Sequence, residues 1–203
     1  MQFNNTYSTY LLRDYALQFL NDTISEGKPF VMWFSPYNPH GPATPASEDT
    51  NLYPNGLPSY YLPPSFNEAD VSDKPASVQE RPLCQEDRLA VSECAEAYKE
   101  IQLKIARNLA SLDRSVEALL NFLESKGELS NTLIIYINDN GLVQGEHRLF
   151  DYRHFARKNV HYKESVKAIM GARWDDGHTP RDRPLTSLWV TSTSRLQFMI
   201  RLD

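Results

Sequence analysis

The stretch that most constrains the fold is Thr132-Leu133-Ile134-Ile135-Tyr136-Ile137, β-branched and almost wholly apolar, which breaks without transition into Asn138-Asp139-Asn140-Gly141. Such a run fits a buried central strand, and the polar cluster behind it fits the turn that ends the strand. Phe30-Val31-Met32-Trp33-Phe34, introduced by Pro29 and closed by Ser35-Pro36, has the same character and reads as a short strand buried on both faces. Each run is paired with a helical pattern. From Ser8 or Thr9 as N-cap, Leu12, Tyr15, Ala16, Phe19 and Leu20 form one apolar stripe up to Gly27, predicting a helix over Tyr10 to Ile24. From Glu86 to Lys126 a second stripe runs through Leu89, Ala97, Ile101, Ile105, Leu109, Leu112, Val116, Leu119 and Leu123, with Gly127 as its C-cap.

This alternation predicts an α/β fold in which the two strands lie parallel in one mostly parallel sheet with flanking helices. Val166 to Met170 reads as a neighbouring strand, and the stretch from Gly171 to Asp203 shows no clear period. Residues Pro39 to Pro82 hold most of the 13 prolines and read as a long surface loop, the kind that is functional or mobile.

The formal charge of -5, with no basic stripe, argues against nucleic acid as a partner. No apolar run approaches the ~20 residues that cross a bilayer. The segment Met1 to Thr6 has neither the basic nor the apolar region of a secretory signal peptide, so a compartment is not encoded. Asn4-Asn5-Thr6 and Asn21-Asp22-Thr23 are N-glycosylation triplets of a kind that also arises by chance. Cys84 and Cys94 show no metal-binding spacing and read as two small buried or half-exposed thiols.

Two polar clusters follow the two strands, Pro39-His40-Gly41-Pro42 and Asp139-Asn140-Gly141. In an open parallel sheet ligands bind at that end of the strands. An Asp carboxylate and an Asn amide oxygen side by side are hard donors suited to Ca²⁺ or Mg²⁺, although the same triplet is also a common turn. His40 could donate to an anionic oxygen or protonate a leaving group, and Lys158 could neutralise an anion as a point charge, but taken alone each reads more simply as a solvated surface residue.

Taken together, Lys28 to Pro42, Gly127 to Tyr136, Asp139-Asn140-Gly141 with Gly145-Glu146-His147-Arg148-Leu149, and Lys158-x-x-x-Tyr162-x-Glu164-Ser165 resemble type I sulfatases of the alkaline-phosphatase superfamily. The resemblance covers roughly Tyr7 to Met170 and implies a partial alkaline-phosphatase-like sandwich over residues 1–170, with 171–203 a divergent tail. It implies that Asp139 and Asn140 match the family's late pair of calcium ligands, that His40 and Lys158 match residues contacting the sulfate, and that His147 is a supporting or substrate-side residue. The implied activity is sulfuric ester hydrolysis, on a small sulfate ester or a sulfated glycan, in a family whose intact members are secreted or lysosomal. In that family a formylglycine made from cysteine is the nucleophile and Ca²⁺ polarises the sulfate.

The sequence departs from that pattern at defined places. The Cys-x-Pro-Ser-Arg motif is absent, since Gln85-Glu86-Asp87-Arg88 follows Cys84 and Ala95-Glu96-Ala97-Tyr98 follows Cys94. The early Asp-Asp calcium ligands are absent too, which leads to the expectation that the chain begins mid-domain and holds only half a calcium site. Leu142-Val143 replaces an aromatic followed by histidine, and Tyr-Glu-Glu-Ser has become Tyr162-Lys163-Glu164-Ser165. Three readings stand: a sulfatase inactive as this piece, a non-catalytic anion-binding module, and a phosphoester hydrolase of the same superfamily. The last would favour His at position 140 as a transition-metal ligand, and Asn stands there.

Overall fold

The computed structural model describes residues 2–3, 6–84, 91–149, 158, 160–176 and 199–201. In chain order the elements are β1 (Gln2–Phe3), β2 (Thr6–Tyr7), α1 (Ser8–Ser25), β3 (Val31–Met32), a 3₁₀ turn (Ser47–Asp49), α2 (Ala76–Gln79), α3 (Val91–Ser125), β4 (Thr132–Ile137), α4 (Lys163–Val166), β5 (Met170–Arg173) and β6 (Met199–Arg201). They sort into two units, one of Met1–Thr50, Asn108–Asp139 and Ala168–Asp203, the other of Asn51–Arg107 and Asn140–Lys167.

The first unit carries the main sheet, in the order β3-β6-β4-β5, and every ladder in it is antiparallel. The fold is mixed α/β, but the expected parallel pairing is not what is seen. β3 and β4 share the sheet and, each being antiparallel to β6, run in the same direction; they are not neighbours, because β6 lies between them, with Met199 in backbone register with both Met32 and Ile134. That central strand comes from the stretch past Gly171, where the sequence shows no period.

Burial on both faces is not met by β3. Met32 and Ile134 pack into the core with Ala16 and Leu20 of α1, Phe30, and Leu119 and Leu123 of α3. In β3 the alternate residues do not: Val31 is 59% exposed and Trp33 41%, whereas β4 has a buried residue on each face, Thr132 and Ile137, and opens to solvent at Tyr136, which is half exposed. Strand side chains alternate between faces, so β3 buries one face under the helices and leaves the other far less covered. The neighbouring strand starts at Met170, not Val166; Lys163–Val166 is helical, and Val166 and Ile169 are exposed.

The helices end just before Gly27 and Gly127, as expected. The start of α1 differs. Tyr7 is its N-cap, with no side-chain cap, while the Thr9 hydroxyl that could have capped it donates instead to Asn38 Oδ1. For α3, the predicted residues Glu86 to Ala90 lie outside the described residues.

The second unit has its own small core of Val71, Val78, Val143 and Leu149, with Val160 and Tyr162 against it. Among the described residues 51–82 of this unit, the regular structure is α2 and an isolated bridge, Phe66 to Glu146. Cys84 and Cys94 form a disulfide and are not thiols, a correction that their spacing could not supply.

Candidate functional site

The His40 turn is built from the chain segment that leaves β3. His40 N–H donates to the Tyr37 carbonyl at 3.0 Å, Ala43 N–H donates to the His40 carbonyl at 3.1 Å, and the imidazole lies against the Tyr37 ring at 4.7 Å between centroids. The peptides Asn38-Pro39 and Gly41-Pro42 on either side of it are cis. What fixes the turn is a buried amide network. Asn38 Nδ2 reaches the Asn108 carbonyl at 2.9 Å and Ser111 Oγ at 3.2 Å, while Asn108 Nδ2 donates to the Thr44 carbonyl at 2.7 Å and to Tyr7 Oη at 2.8 Å. Thr9, Asn108 and Ser111 are all buried. One side of this network thus holds the residue two before His40, and the other holds the residue four after it. His40 itself is exposed, with Nδ1 3.0 Å from the Gly41 carbonyl. If Nδ1 carries the proton it donates there, which makes Nε2 the acceptor of the neutral ring.

Asp139 lies two residues past the end of β4 and is exposed. The strand end is pinned by its predecessor, since Asn138 N–H donates to the Ile169 carbonyl at 3.3 Å and Asn138 Oδ1 accepts from Ile169 N–H. Asn140 opens the second unit and turns its Nδ2 to the Gly141 carbonyl at 2.6 Å, so the oxygen is the other branch of the amide. Gly141 donates to the Ser165 carbonyl at 3.0 Å, and a Cβ built there would sit 2.0 Å from the Glu164 carbonyl oxygen. Only glycine fits so close a backbone approach.

His147 and Arg148 clamp the long segment that lies between β3 and α3 in sequence. His147 Nδ1 is 2.6 Å from Glu68 Oε2, its N–H donates to the Ser65 carbonyl at 2.9 Å, and its ring faces Tyr162 at 4.8 Å. Arg148 donates to three carbonyls, of Glu68 at 2.8 Å, Arg81 at 3.0 Å and Ala69 at 2.6 Å. Both residues have left-handed backbone, φ 52° and 59°, which costs on the order of 1 kcal/mol or more each and persists only where surrounding bonds enforce it. Gly145, at φ 93°, turns the chain into this clamp and packs so closely on Phe66 that a Cβ would meet the ring at 2.4 Å. Tyr162 Oη is buried and has no hydrogen-bond partner among the described residues. Lys158 is exposed.

His40 and Asp139 therefore belong to the first unit, and Asn140, His147 and Lys158 to the second. No hydrogen bond or ion pair joins His40 to Asp139, or His147 to Lys158, among the described residues. Nor does any group of three or more His, Cys, Asp or Glu among them gather closely enough to hold a metal ion. A groove of about 340 Å³ on α3, lined by Asp113, Glu117, Asn121, Glu124, Leu129 and Arg173 among others, contains none of the candidate residues. Sequence reasoning missed Glu68, Asn38 and Asn108, whose partners lie 79 and 70 residues away and leave no local pattern.

Comparison with known proteins adds independent ground. The Sulfatase family model matches residues 2–179. An arylsulfatase of Volvox carteri is 33% identical over 161 residues, covering 70% of this chain and 24% of that protein. An arylsulfatase of Chlamydomonas reinhardtii is 29% identical over 183 residues, covering 79% of this chain and 26% of that protein. The chain thus spans about a quarter of the length of the curated relatives it matches. A solved structure of a protein in complex with its substrate D-glucosamine-2-N,6-O-disulfate superposes with a TM-score of 0.63 at 21% identity, covering 83% of this chain and 43% of that one, and so shares its fold. With the family matched over nearly nine-tenths of its residues, this chain belongs to the sulfatase family.

Proposed function

We propose that this chain is part of the catalytic domain of a sulfuric ester hydrolase, in which Asp139 and Asn140 hold Ca²⁺ and His40 and Lys158 bind the sulfate. The observation that carries the reading is the sulfatase match across residues 2–179, which includes all of these positions. His147 is the substrate-side residue, oriented by Glu68. The donor set supports the metal: an exposed carboxylate and an amide turned so that its nitrogen is engaged with Gly141 are hard oxygen ligands of the type Ca²⁺ takes. Two ligands are a minority of the ~6–8 the ion wants, so calcium would be held weakly by this chain alone.

When bound, Ca²⁺ would supply polarisation of the sulfate oxygens. The chain's own residues do the rest of the binding. The carboxylate of Asp139 balances the cation, the Lys158 ammonium neutralises the anion, and the His40 imidazole, once protonated, donates to a sulfate oxygen or leaving group. The substrate class is a sulfated sugar or another small sulfate ester, in keeping with the sulfated glucosamine held by the structural relative. Residues 1–170 would form the partial catalytic domain. No described helix is long and apolar enough to cross a membrane, and the buried Cys84–Cys94 disulfide supports an oxidising, extracytoplasmic compartment.

Neither cysteine of the chain is available as nucleophile, since both are in the disulfide, which favours a second reading as a sulfate-binding module without turnover. The two readings are separated by assay of a chromogenic aryl sulfate with calcium, alongside calorimetric titration with inorganic sulfate. Expected are no phenol release above background and weak sulfate binding lost in His40→Ala and Lys158→Ala. Phenol release that His40→Ala abolishes would show that the chain supplies its own nucleophile, and sulfate binding that neither substitution changes would remove both residues from the site.

A further inference from the structure

Two features that play no part in sulfate binding point to how this chain is processed. The first is the triplet Asn21-Asp22-Thr23, the Asn-X-Thr acceptor pattern, in the last turns of α1. A triplet of this kind is usable only if the folded chain can carry a large polar group there. Asn21 meets that condition. Its side chain is exposed although Leu20, one residue earlier, is fully buried, and among the described residues its Nδ2 makes only a long 3.4 Å surface contact with Asp22 Oδ1. Asn108 shows the opposite case: it is buried, and its Nδ2 is committed to Tyr7 and the Thr44 carbonyl. Replacing one Asn21 amide hydrogen therefore breaks nothing in the fold.

The second feature is the Cys84–Cys94 disulfide, in the other unit and with both residues buried. Such bonds form and persist where the surroundings are oxidising, the compartments in which N-linked glycans are also attached and displayed.

We propose that Asn21 is an N-glycosylation site and that the chain matures where Cys84 and Cys94 are oxidised. In the first step the Asn21 amide nitrogen attacks C1 of the first sugar of a lipid-pyrophosphate-linked oligosaccharide. The Nδ2–C1 bond forms, the C1–O bond to the pyrophosphate breaks, the lipid pyrophosphate leaves and the amide gives up one proton. In the second, two thiols pass two electrons and two protons to the disulfide of an oxidoreductase, which is reduced to its dithiol. Transfer to Asn21 precedes helix formation, and the completed α1 then leaves the sugar in solvent.

The test is expression behind a cleavable secretion leader in a eukaryotic cell, with site-resolved mass spectrometry of peptides from total cell and secreted protein, run without reductant. Asn4 and Asn5 lie outside the described residues, and their triplet is removed by Asn4→Gln. Expected are a peptide-N-glycosidase-sensitive glycan on most Asn21 peptides of that variant, its complete loss in Asn4→Gln combined with Thr23→Ala, and a linked Cys84–Cys94 peptide in both. An Asn4→Gln protein with the disulfide formed and Asn21 bare would overturn the glycan. A glycosylated protein with two free thiols would overturn the shared oxidative maturation. Reading the peptides of the otherwise unaltered chain keeps the outcome independent of whether Thr23→Ala folds.

Discussion

Tyr98 shows how one side chain sets a pH limit on this protein. It is 1% exposed, its hydroxyl donates to Gln144 Oε1, and Glu146 lies buried nearby. Desolvation, and then the Glu146 carboxylate, disfavour the phenolate and raise the phenol's pKa well above its ordinary value. The unfolded chain would release this proton near pH ~10, whereas the folded chain keeps it to higher pH. The contribution to stability is therefore complete below pH ~10 and is lost as the pH climbs from there toward the folded value, by up to about 1.4 kcal/mol per pH unit. Urea midpoints of the wild type should fall on this account between about pH 10 and 12, and Tyr98→Phe should lack that component of the fall. Parallel pH profiles for the two proteins would show that the phenol is not held neutral by the fold.

At the scale of elements, Gly145 to Arg148 acts as a clamp on a segment with almost no regular structure of its own. The Arg148 guanidinium satisfies three carbonyls, and hydrogen bonds to a charged donor contribute about 1.5–3 kcal/mol each. Arg148→Lys keeps the charge but cannot span the same fork. Amide exchange near Glu68, Ala69 and Arg81 should speed up by about tenfold or more, the equivalent of ~1.4 kcal/mol, while exchange in α1 stays as it was. Unchanged exchange near Glu68 would mean that the segment holds itself.

The same clamp shows where sequence reading stops. The runs behind β3 and β4, the helices α1 and α3 and the polar turns at His40 and Asp139 are local patterns, so they can be read along the chain. Strand order cannot be, because it depends on β6, three residues with no periodicity that pair with two strands at once. The apolar run at Phe30 suggested a longer strand than the Val31–Met32 that actually pairs, since a continuous run does not tell a two-faced core strand from an edge strand with one open face. The positions proposed for the site were visible as turn residues. Their supporting partners were not: Asn38 with Asn108 and His147 with Glu68 are side-chain bonds between segments that only the fold brings together.

At the scale of the whole molecule, the two units differ in what stabilises them. The first rests on a continuous apolar core, where Leu20 and Leu123 are fully buried. The second has a smaller core and a disulfide across a sequence separation of 10, which by loop-closure entropy contributes about 3 kcal/mol. A small core in an irregular segment gains most from such a constraint, because the ordering entropy of the long loop has little burial to offset it. α3 runs through both, as residues 91–107 of it fall in the second unit and 108–125 in the first. Different substitutions should therefore loosen different parts. Cys84→Ala with Cys94→Ala should accelerate exchange around Val143 and Leu149 while leaving Leu20 and Ile134 close to their original rates. Leu123→Ala, at a cost of about 2–5 kcal/mol, should do the reverse. If either change accelerates exchange evenly across all four positions, the two units unfold as one cooperative body, and α3 transmits the loss from one core to the other.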